Sequence, residues 1–347
     1  MIDNNKNFNF HPISIVGIGK YVPTTVIKNE DITKIVDTSD EWIFTRTGIK
    51  ERRIVSGNET ASSLAVNAAN DALGYAGISP EEIDLIITAT SMPDFLYPSV
   101  SCQVQAAIGA KKAAAFDVVA ACSGLIYALN ISKSFIASGI YKNILLIGVD
   151  VHSRFLDWSD RATCVLFGDG AGAFIVKKSE DNINDLLEIN IHADGTKSGD
   201  LKVPLYGKNC PLVEPNSERK QFVNMNGREI YKFAVSVIPE SIQNTLNLAG
   251  LTINDLDYLV PHQANTRIIS AISERLNLKP EQVIINLDKY GNTSAASIPI
   301  ALTEAIENNK INMPSILALS GFGAGLTWGT AIIRWRAKDK RLNNINS

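Results

Sequence analysis

The order of letters in the first half of the chain comes round again in the second, and this internal repeat limits the fold more than any other feature. Tyr75-Ala-Gly-Ile-Ser-Pro-Glu-Glu-Ile-Asp-Leu-Ile-Ile is echoed by Leu248-Ala-Gly-Leu-Thr-Ile-Asn-Asp-Leu-Asp-Tyr-Leu-Val. Each reads as a helix ending at glycine, an acidic turn and then a strand. Asp117-Val-Val-Ala-Ala-Cys-Ser-Gly leads into an Ala-rich helix, and Leu287-Asp-Lys-Tyr-Gly-Asn-Thr-Ser leads into another, Ala295 to Glu307. Both halves also close alike: Ser138-Gly-Ile-Tyr-Lys-Asn-Ile-Leu-Leu-Ile-Gly and Asp169-Gly-Ala-Gly-Ala-Phe-Ile-Val answer to Asn309-Lys-Ile-Asn-Met-Pro-Ser-Ile-Leu-Ala-Leu-Ser and Thr327-Trp-Gly-Thr-Ala-Ile-Ile. A duplicated α/β chain follows, with a seam between halves spanning 12–180 and 181–336.

Within each half, short Val/Ile/Leu runs alternate with longer segments of helical period, the pattern of a mainly parallel sheet with helices on both faces. The spacing predicts strands at Ile13–Gly17, Leu85–Thr90, Ala114–Val119, Asn143–Val149 and Gly172–Lys177, and helices at Thr60–Gly77, Ser101–Ile108 and Ser123–Ser138. The weakly periodic stretch from Lys178 to Lys220 should hold the crossing between halves and surface loops. With 347 residues, 45% of them hydrophobic, the chain can bury the core that two such units need. A net charge of -3 argues against a dedicated nucleic-acid binder. Its four cysteines lie far apart without CxxC spacing, so neither a zinc site nor a disulfide framework is expected, and a reducing compartment fits. The start, Met1 to Pro12, lacks a signal peptide's basic end and apolar core, and no apolar run approaches a membrane span; a cytoplasmic protein is expected.

Cys122 stands where the strand ending near Val119 gives way to the helix from Ser123, among Ala120, Ala121, Ser123 and Gly124. A thiol there meets a helix N-terminus, whose dipole and free N–H groups favour the thiolate and can hold an oxyanion. Cys102, Cys164 and Cys210 lack that setting and read as packing or surface residues. Of four histidines, His262 alone ends a repeat strand, in Leu259-Val-Pro-His-Gln-Ala-Asn, which places it near the seam; His11, His152 and His192 have no comparable position. Asn292 occupies the second-half turn that answers to the Cys122 turn. If the halves pack about a pseudo-twofold axis, a thiol, an imidazole and a carboxamide converge. Gly321-Phe-Gly-Ala-Gly follows a late strand and matches neither dinucleotide nor phosphate loops. It reads as close backbone approach, with the Ala324 N–H joining that of Cys122 in an oxyanion hole.

These residues, together with Asp37-Thr-Ser-Asp-Glu-Trp-Ile, Thr45-Arg-Thr-Gly-Ile, Ala120-Ala-Cys-Ser-Gly, Phe167-Gly-Asp-Gly-Ala-Gly, Pro261-His-Gln-Ala-Asn and Gly291-Asn-Thr-Ser-Ala-Ala-Ser, resemble the thiolase-fold condensing enzymes. The likeness is greatest to the 3-oxoacyl-[acyl-carrier-protein] synthase III family and runs from about Ile13 to Trp335. It implies a layered α-β-α-β-α fold and a catalytic triad of Cys122, His262 and Asn292. It implies decarboxylative condensation of an acyl-CoA, acetyl-CoA first among them, with malonyl-acyl carrier protein to start fatty acid synthesis. Coenzyme A contacts carried over are Trp42, Arg46, Arg161 and Asn265. Carrier-protein contacts are Gln263, Ala264, Asn265, Thr266 and Arg267, with Lys232 and Arg275 as neighbouring cations. Coenzyme A enters as a substrate thioester, and neither metal nor cofactor is implied. Family members are homodimers in which Tyr97 would cap the partner's acyl tunnel, and a plastid-encoded member would work in the stroma. Ala324 departs from the family's run of three glycines. Rival readings are a condensing enzyme of the same fold making polyketide or 3-hydroxy-3-methylglutaryl products, a cysteine protease, and a non-catalytic binding module.

Overall fold

A computed structural model describes residues 11–205, 210, 212 and 221–341. The N-terminal ten residues and most of 206–220, on which part of the expected crossing falls, lie outside the described residues. The first half runs β1 (Ile13–Tyr21), α1 (Asp40–Thr47), α2 (Ala61–Ala76), β2 (Leu85–Ala89), α3 (Val100–Ile108), β3 (Ala114–Val118), α4 (Gly124–Ala137), β4 (Asn143–Asp150) and β5 (Gly170–Lys178). The second runs β6 (Leu186–Ala193), α5 (Gly227–Leu248), β7 (Tyr258–Pro261), α6 (Thr266–Arg275), α7 (Ser297–Glu307), β8 (Ser315–Gly323) and β9 (Thr327–Trp335). Local chemistry sets the helix ends. Ser39, Thr60, Ser99 and Asn265 side chains accept the first free N–H groups of α1, α2, α3 and α6, and left-handed glycines close α1 at Gly48 and α2 at Gly77.

The first sheet has the order β1-β5-β4-β2-β3 and the second β6-β9-β8-β7. Their pairings match step for step. In each, the first two contacts are antiparallel and the next parallel. A fifth, parallel position is filled by β3 in the first sheet and by a single bridge from Leu259 to Val283 in the second. The sheets are therefore mixed, which corrects the expectation of a mainly parallel arrangement. An apolar run reports that both its faces are buried, and that holds for a covered strand whichever way it points. The stretch after Lys178 also differs from expectation: it contains β6, the first strand of the second sheet.

Side-chain alternation builds the layers. In β4, Ile144 and Leu146 face inward while Leu145, Ile147 and Val149 face α2 and α3. The inward face packs against α4 and α7, which lie together between the sheets: Leu125 and Leu129 of α4 and Ile298 and Leu302 of α7 share one core with Leu317 and Ile333 of the second sheet. Outside that sheet, Ala318 and Ile332 pack on Ile238, Ile242 and Ile272 of α5 and α6. Five layers result, and burying each such side chain stabilises the fold by about 1.5–3 kcal/mol. Absent side chains let the middle layer close: a Cβ at Gly148 would lie 2.3 Å from the Ala295 carbonyl oxygen across the seam.

Candidate active site

Two corresponding turns meet at the centre of this seam, just before α4 and α7. Each has a non-glycine residue in the left-handed region three positions before its helix, Ala121 at φ 46° and Ser294 at φ 52°. Cys122 follows the first and Asn292 precedes the second. The Ser294 hydroxyl donates to Cys122 Sγ at 3.2 Å, while the Ser294 N–H donates to Asn292 Oδ1 at 2.8 Å. One residue thus holds a thiol and a carboxamide, and bonding at Oδ1 leaves the Asn292 amide N–H groups as donors.

His262 follows β7, anchored by its N–H to the Ser320 carbonyl oxygen of β8 at 2.7 Å, with its ring edge-on to Phe322. Its Nδ1 lies 2.7 Å from Ser297 Oγ, which also accepts the Gln263 N–H at 3.3 Å. Among the described residues the Ser297 hydroxyl has no other acceptor than Nδ1, so its proton is assigned to this contact and the ring's own proton to Nε2. Burial pushes His262 down to about 3, so the imidazole is neutral at working pH. Cys122 is affected in the opposite sense from that expected of a helix terminus alone. Burial pushes its thiol up to about 12, against the Ser294 hydrogen bond and the N-terminal dipole of α4, both of which favour the thiolate.

Cys122, His262 and Asn292 line one cavity of about 480 Å³, with Phe322 and Gly323 beside them. Arg46, Arg228 and Arg267, all exposed, line the same cavity and make it cationic. A second cavity of about 410 Å³ shares Cys122, Phe167 and Leu201 with the first and includes Ala324. The end of β8 passes so close that a Cβ at Gly323 would lie 2.6 Å from the Cys122 nitrogen. This is the close backbone approach that the glycine-rich segment suggested.

The remaining expected contacts divide. Trp42 lies between two guanidinium groups, Arg46 at 4.7 Å and Arg161 at 4.8 Å from its ring, and Arg161 also donates to the Asp37 carbonyl oxygen. Asn265 donates to the Arg46 carbonyl oxygen at 3.0 Å, and Asn265, Ala264 and Arg267 reach the first cavity. The Thr266 hydroxyl ties α6 to α1 through the Thr47 carbonyl oxygen. Gln263, expected among the carrier-protein contacts, lies in the interior. Its side-chain amide donates to the carbonyl oxygens of Pro261 and Ile284 and accepts the Asn286 N–H, which fixes the turn that follows His262. Lys232 is exposed and ion-paired with Glu229, and Arg275 is exposed with one donor on the Val235 carbonyl oxygen. Tyr97 is exposed. Sequence reasoning did not single out Ser294, Ser297, Arg228 or His152. Ser294 matches Ala121, the residue before the cysteine, only when the two turns are counted back from their helices; the repeated strings themselves align it with Gly124.

The family model for 3-oxoacyl-[acyl-carrier-protein (ACP)] synthase III matches residues 116–195, and that for the C-terminal part of the same synthase matches 246–335. The chain is 50% identical over 326 residues to the β-ketoacyl-[acyl-carrier-protein] synthase III of Microcystis aeruginosa, covering 93% of this chain and 97% of that one. Its fold superposes on the 3-oxoacyl-[acyl-carrier-protein] synthase III of Aquifex aeolicus with a TM-score of 0.87 at 48% identity, covering 93% and 100% of the two chains. A priming β-ketosynthase of the R1128 polyketide pathway superposes with a TM-score of 0.88 at 32% identity, covering 97% and 100%. On its fold, and on identity sustained over nearly its whole length, this chain belongs to the β-ketoacyl-[acyl-carrier-protein] synthase III family of condensing acyltransferases.

Proposed function

We propose that the chain joins a primer acyl group, acetyl from acetyl-CoA in the first instance, to malonyl-acyl carrier protein, giving 3-oxoacyl-carrier protein, CO2 and free CoA, and so initiates fatty acid synthesis. The observation that carries this reading is the single cavity lined by Cys122, His262 and Asn292, with a second cavity behind the sulfur.

Cys122 attacks the thioester of acyl-CoA. The new carbon–sulfur bond replaces the one to coenzyme A, whose sulfur leaves with the thiol proton, so one thioester is exchanged for another and the acyl group stays reactive. Backbone N–H groups of Cys122 and Ala324 hold the oxyanion of this step. Trp42, Arg46, Arg161 and Asn265 hold the departing nucleotide and its pantetheine arm. The malonyl thioester then enters the first cavity and loses CO2. The negative charge left on its thioester oxygen is met by the His262 Nε2–H and an Asn292 amide N–H, donors aimed at charge that develops only in the transition state. The carbanion attacks the acyl carbonyl carbon and expels the Cys122 thiolate. Two hydrogen bonds and the loss of CO2 supply the carbanion, so the chemistry asks for no metal or redox cofactor.

Arg267 and Arg228 beside the first cavity, with Arg275 and Lys232 nearby, provide the cations that an acidic carrier protein would meet. We place the reaction in the cytoplasm, or in the stroma for a plastid-encoded chain; no described helix is long and apolar enough to cross a membrane. We also propose a homodimer through β3, an outer strand that among the described residues pairs with β2, with the exposed Phe95, Leu96 and Tyr97 of the loop before α3 as further apolar contacts.

The division of labour is testable by single-turnover labelling. Cys122→Ala should abolish acyl transfer from acetyl-CoA, whereas His262→Ala and Asn292→Ala should still form the acyl-enzyme and lose condensation by at least a hundredfold. Normal condensation in both of the latter would remove the roles assigned here. Comparing malonyl-carrier protein with free malonyl-CoA as acceptor separates this reading from polyketide and 3-hydroxy-3-methylglutaryl chemistry.

A further inference from the structure

The two donors proposed for the oxyanion come from different halves of the chain. The Cys122 N–H belongs to the turn before α4, and the Ala324 N–H to the hairpin between β8 and β9, which pairs Gly323 with Thr327. Two hydroxyls join these segments. Ser123 Oγ, wholly buried, lies 2.8 Å from the Ala120 carbonyl oxygen and 2.8 Å from Thr327 Oγ1. Thr327 Oγ1 in turn lies 2.9 Å from the Ala324 carbonyl oxygen and 3.3 Å from that of Ala120.

Each hydroxyl brings one proton, so these contacts act as one linked network rather than as separate bonds. Its carbonyl ends flank the donors. Ala120 stands before Ala121, held at φ 46°, and the Cys122 N–H comes next; Ala324 carries the second donor itself. A left-handed alanine persists only where its surroundings fix it, and donors stabilise an oxyanion only when their geometry is set before the charge appears. Neither segment sets the other's position by itself, and the Ser123–Thr327 contact is a polar link from one to the other across the seam.

We propose that Ser123 and Thr327 are positioning residues that hold the Cys122 and Ala324 N–H groups in one geometry, so that both meet the same oxyanion. This rests on the proposed function and deepens it. The two hydroxyls act through the backbone and are assigned no contact with the substrate.

The test compares two reactions of one sulfur. Acyl transfer from acetyl-CoA builds charge on a carbonyl oxygen, whereas alkylation by iodoacetamide displaces iodide at a saturated carbon and builds none there. Thr327→Val replaces the hydroxyl by a methyl group; it should lower the maximal rate of acyl transfer about tenfold at unchanged half-saturating acetyl-CoA, with alkylation within about twofold of wild type. Thr327→Ser should recover most of the loss, and Ser123→Ala should slow transfer about fivefold, again without slowing alkylation. Alkylation that falls in step with transfer would show that the hydroxyls build the cysteine turn and nothing more, which overturns the proposal. Transfer within about twofold of wild type in both Thr327→Val and Ser123→Ala overturns it as well. Should Thr327→Val not fold, Ser123→Ala decides by the same two rates. Wild type that iodoacetamide labels but no acyl-CoA does would instead overturn the proposed function, and this inference with it.

Discussion

Among single residues, Ser294 links the groups proposed to do the chemistry. Its hydroxyl is a donor to Cys122 Sγ, and its amide fixes Asn292 Oδ1. Ser294→Ala keeps the amide and deletes the hydroxyl, so the Asn292 contact should persist while the thiolate loses a charge-assisted bond. Alkylation of Cys122 by iodoacetamide at a pH near 8 should slow about tenfold, with the rate–pH curve displaced to higher pH. Ser294→Thr should recover part of the loss, and an unshifted curve in the alanine variant would show that the hydroxyl does not support the thiolate. Cys122, His262 and Asn292 were legible from the letters because each stands at the end of a repeated strand or in a repeated turn. Ser297 was hidden by being an ordinary residue at a helix start, and nothing in its surroundings announces a bond to His262 Nδ1. His152 was passed over because its neighbours in the cavity, Met92, Phe167 and Val223, come from separate parts of the chain.

At the scale of elements, the site depends on how closely β8 can approach the start of α4. Gly323→Ala would set a Cβ 2.6 Å from the Cys122 nitrogen and 3.1 Å from the Ala121 Cβ, both attached to backbone that cannot swing aside. The strand end must shift, at a cost of about 1–3 kcal/mol in stability. Acyl transfer should fall at least tenfold at temperatures where the variant remains folded. Transfer within twofold of wild type would show that this approach is not needed for the oxyanion contacts. The strand and helix spans were largely readable, since covered strands leave apolar runs and capped helices leave Ser, Thr, Asn and Gly at their ends. Strand direction was not, because β4 and β5 are equally apolar whether they run together or opposed. The edge strand β6 escaped as well: Glu188, Asn190 and His192 interrupt its apolar residues, and its charged surroundings read as loop.

For the whole molecule, Phe95, Leu96 and Tyr97 present exposed apolar side chains in the loop before α3, and Val119, 77% exposed just past the half-buried β3, also lines the cavity behind Cys122. That cavity is therefore bordered by a residue on the apolar surface where a second copy would sit. Charge placed there should separate the copies: Tyr97→Asp is expected to lower the mass seen by sedimentation from two chains towards one and to slow acyl transfer. A single-chain mass for wild type would dispose of the dimer. The repeat announced the pairing of halves within one chain, whereas contact between chains left only exposed apolar letters that sequence alone cannot distinguish from core. The two cavities that share the sulfur carry a further consequence for how length is policed. Because the thiol stands where the two chambers meet, a tail too long for the one of about 410 Å³ would extend into the other, where the malonyl arm is proposed to enter. Oversized primers would then not be refused at the door; they would load once and jam, leaving a long-lived thioester that guards the catalyst against making the wrong product.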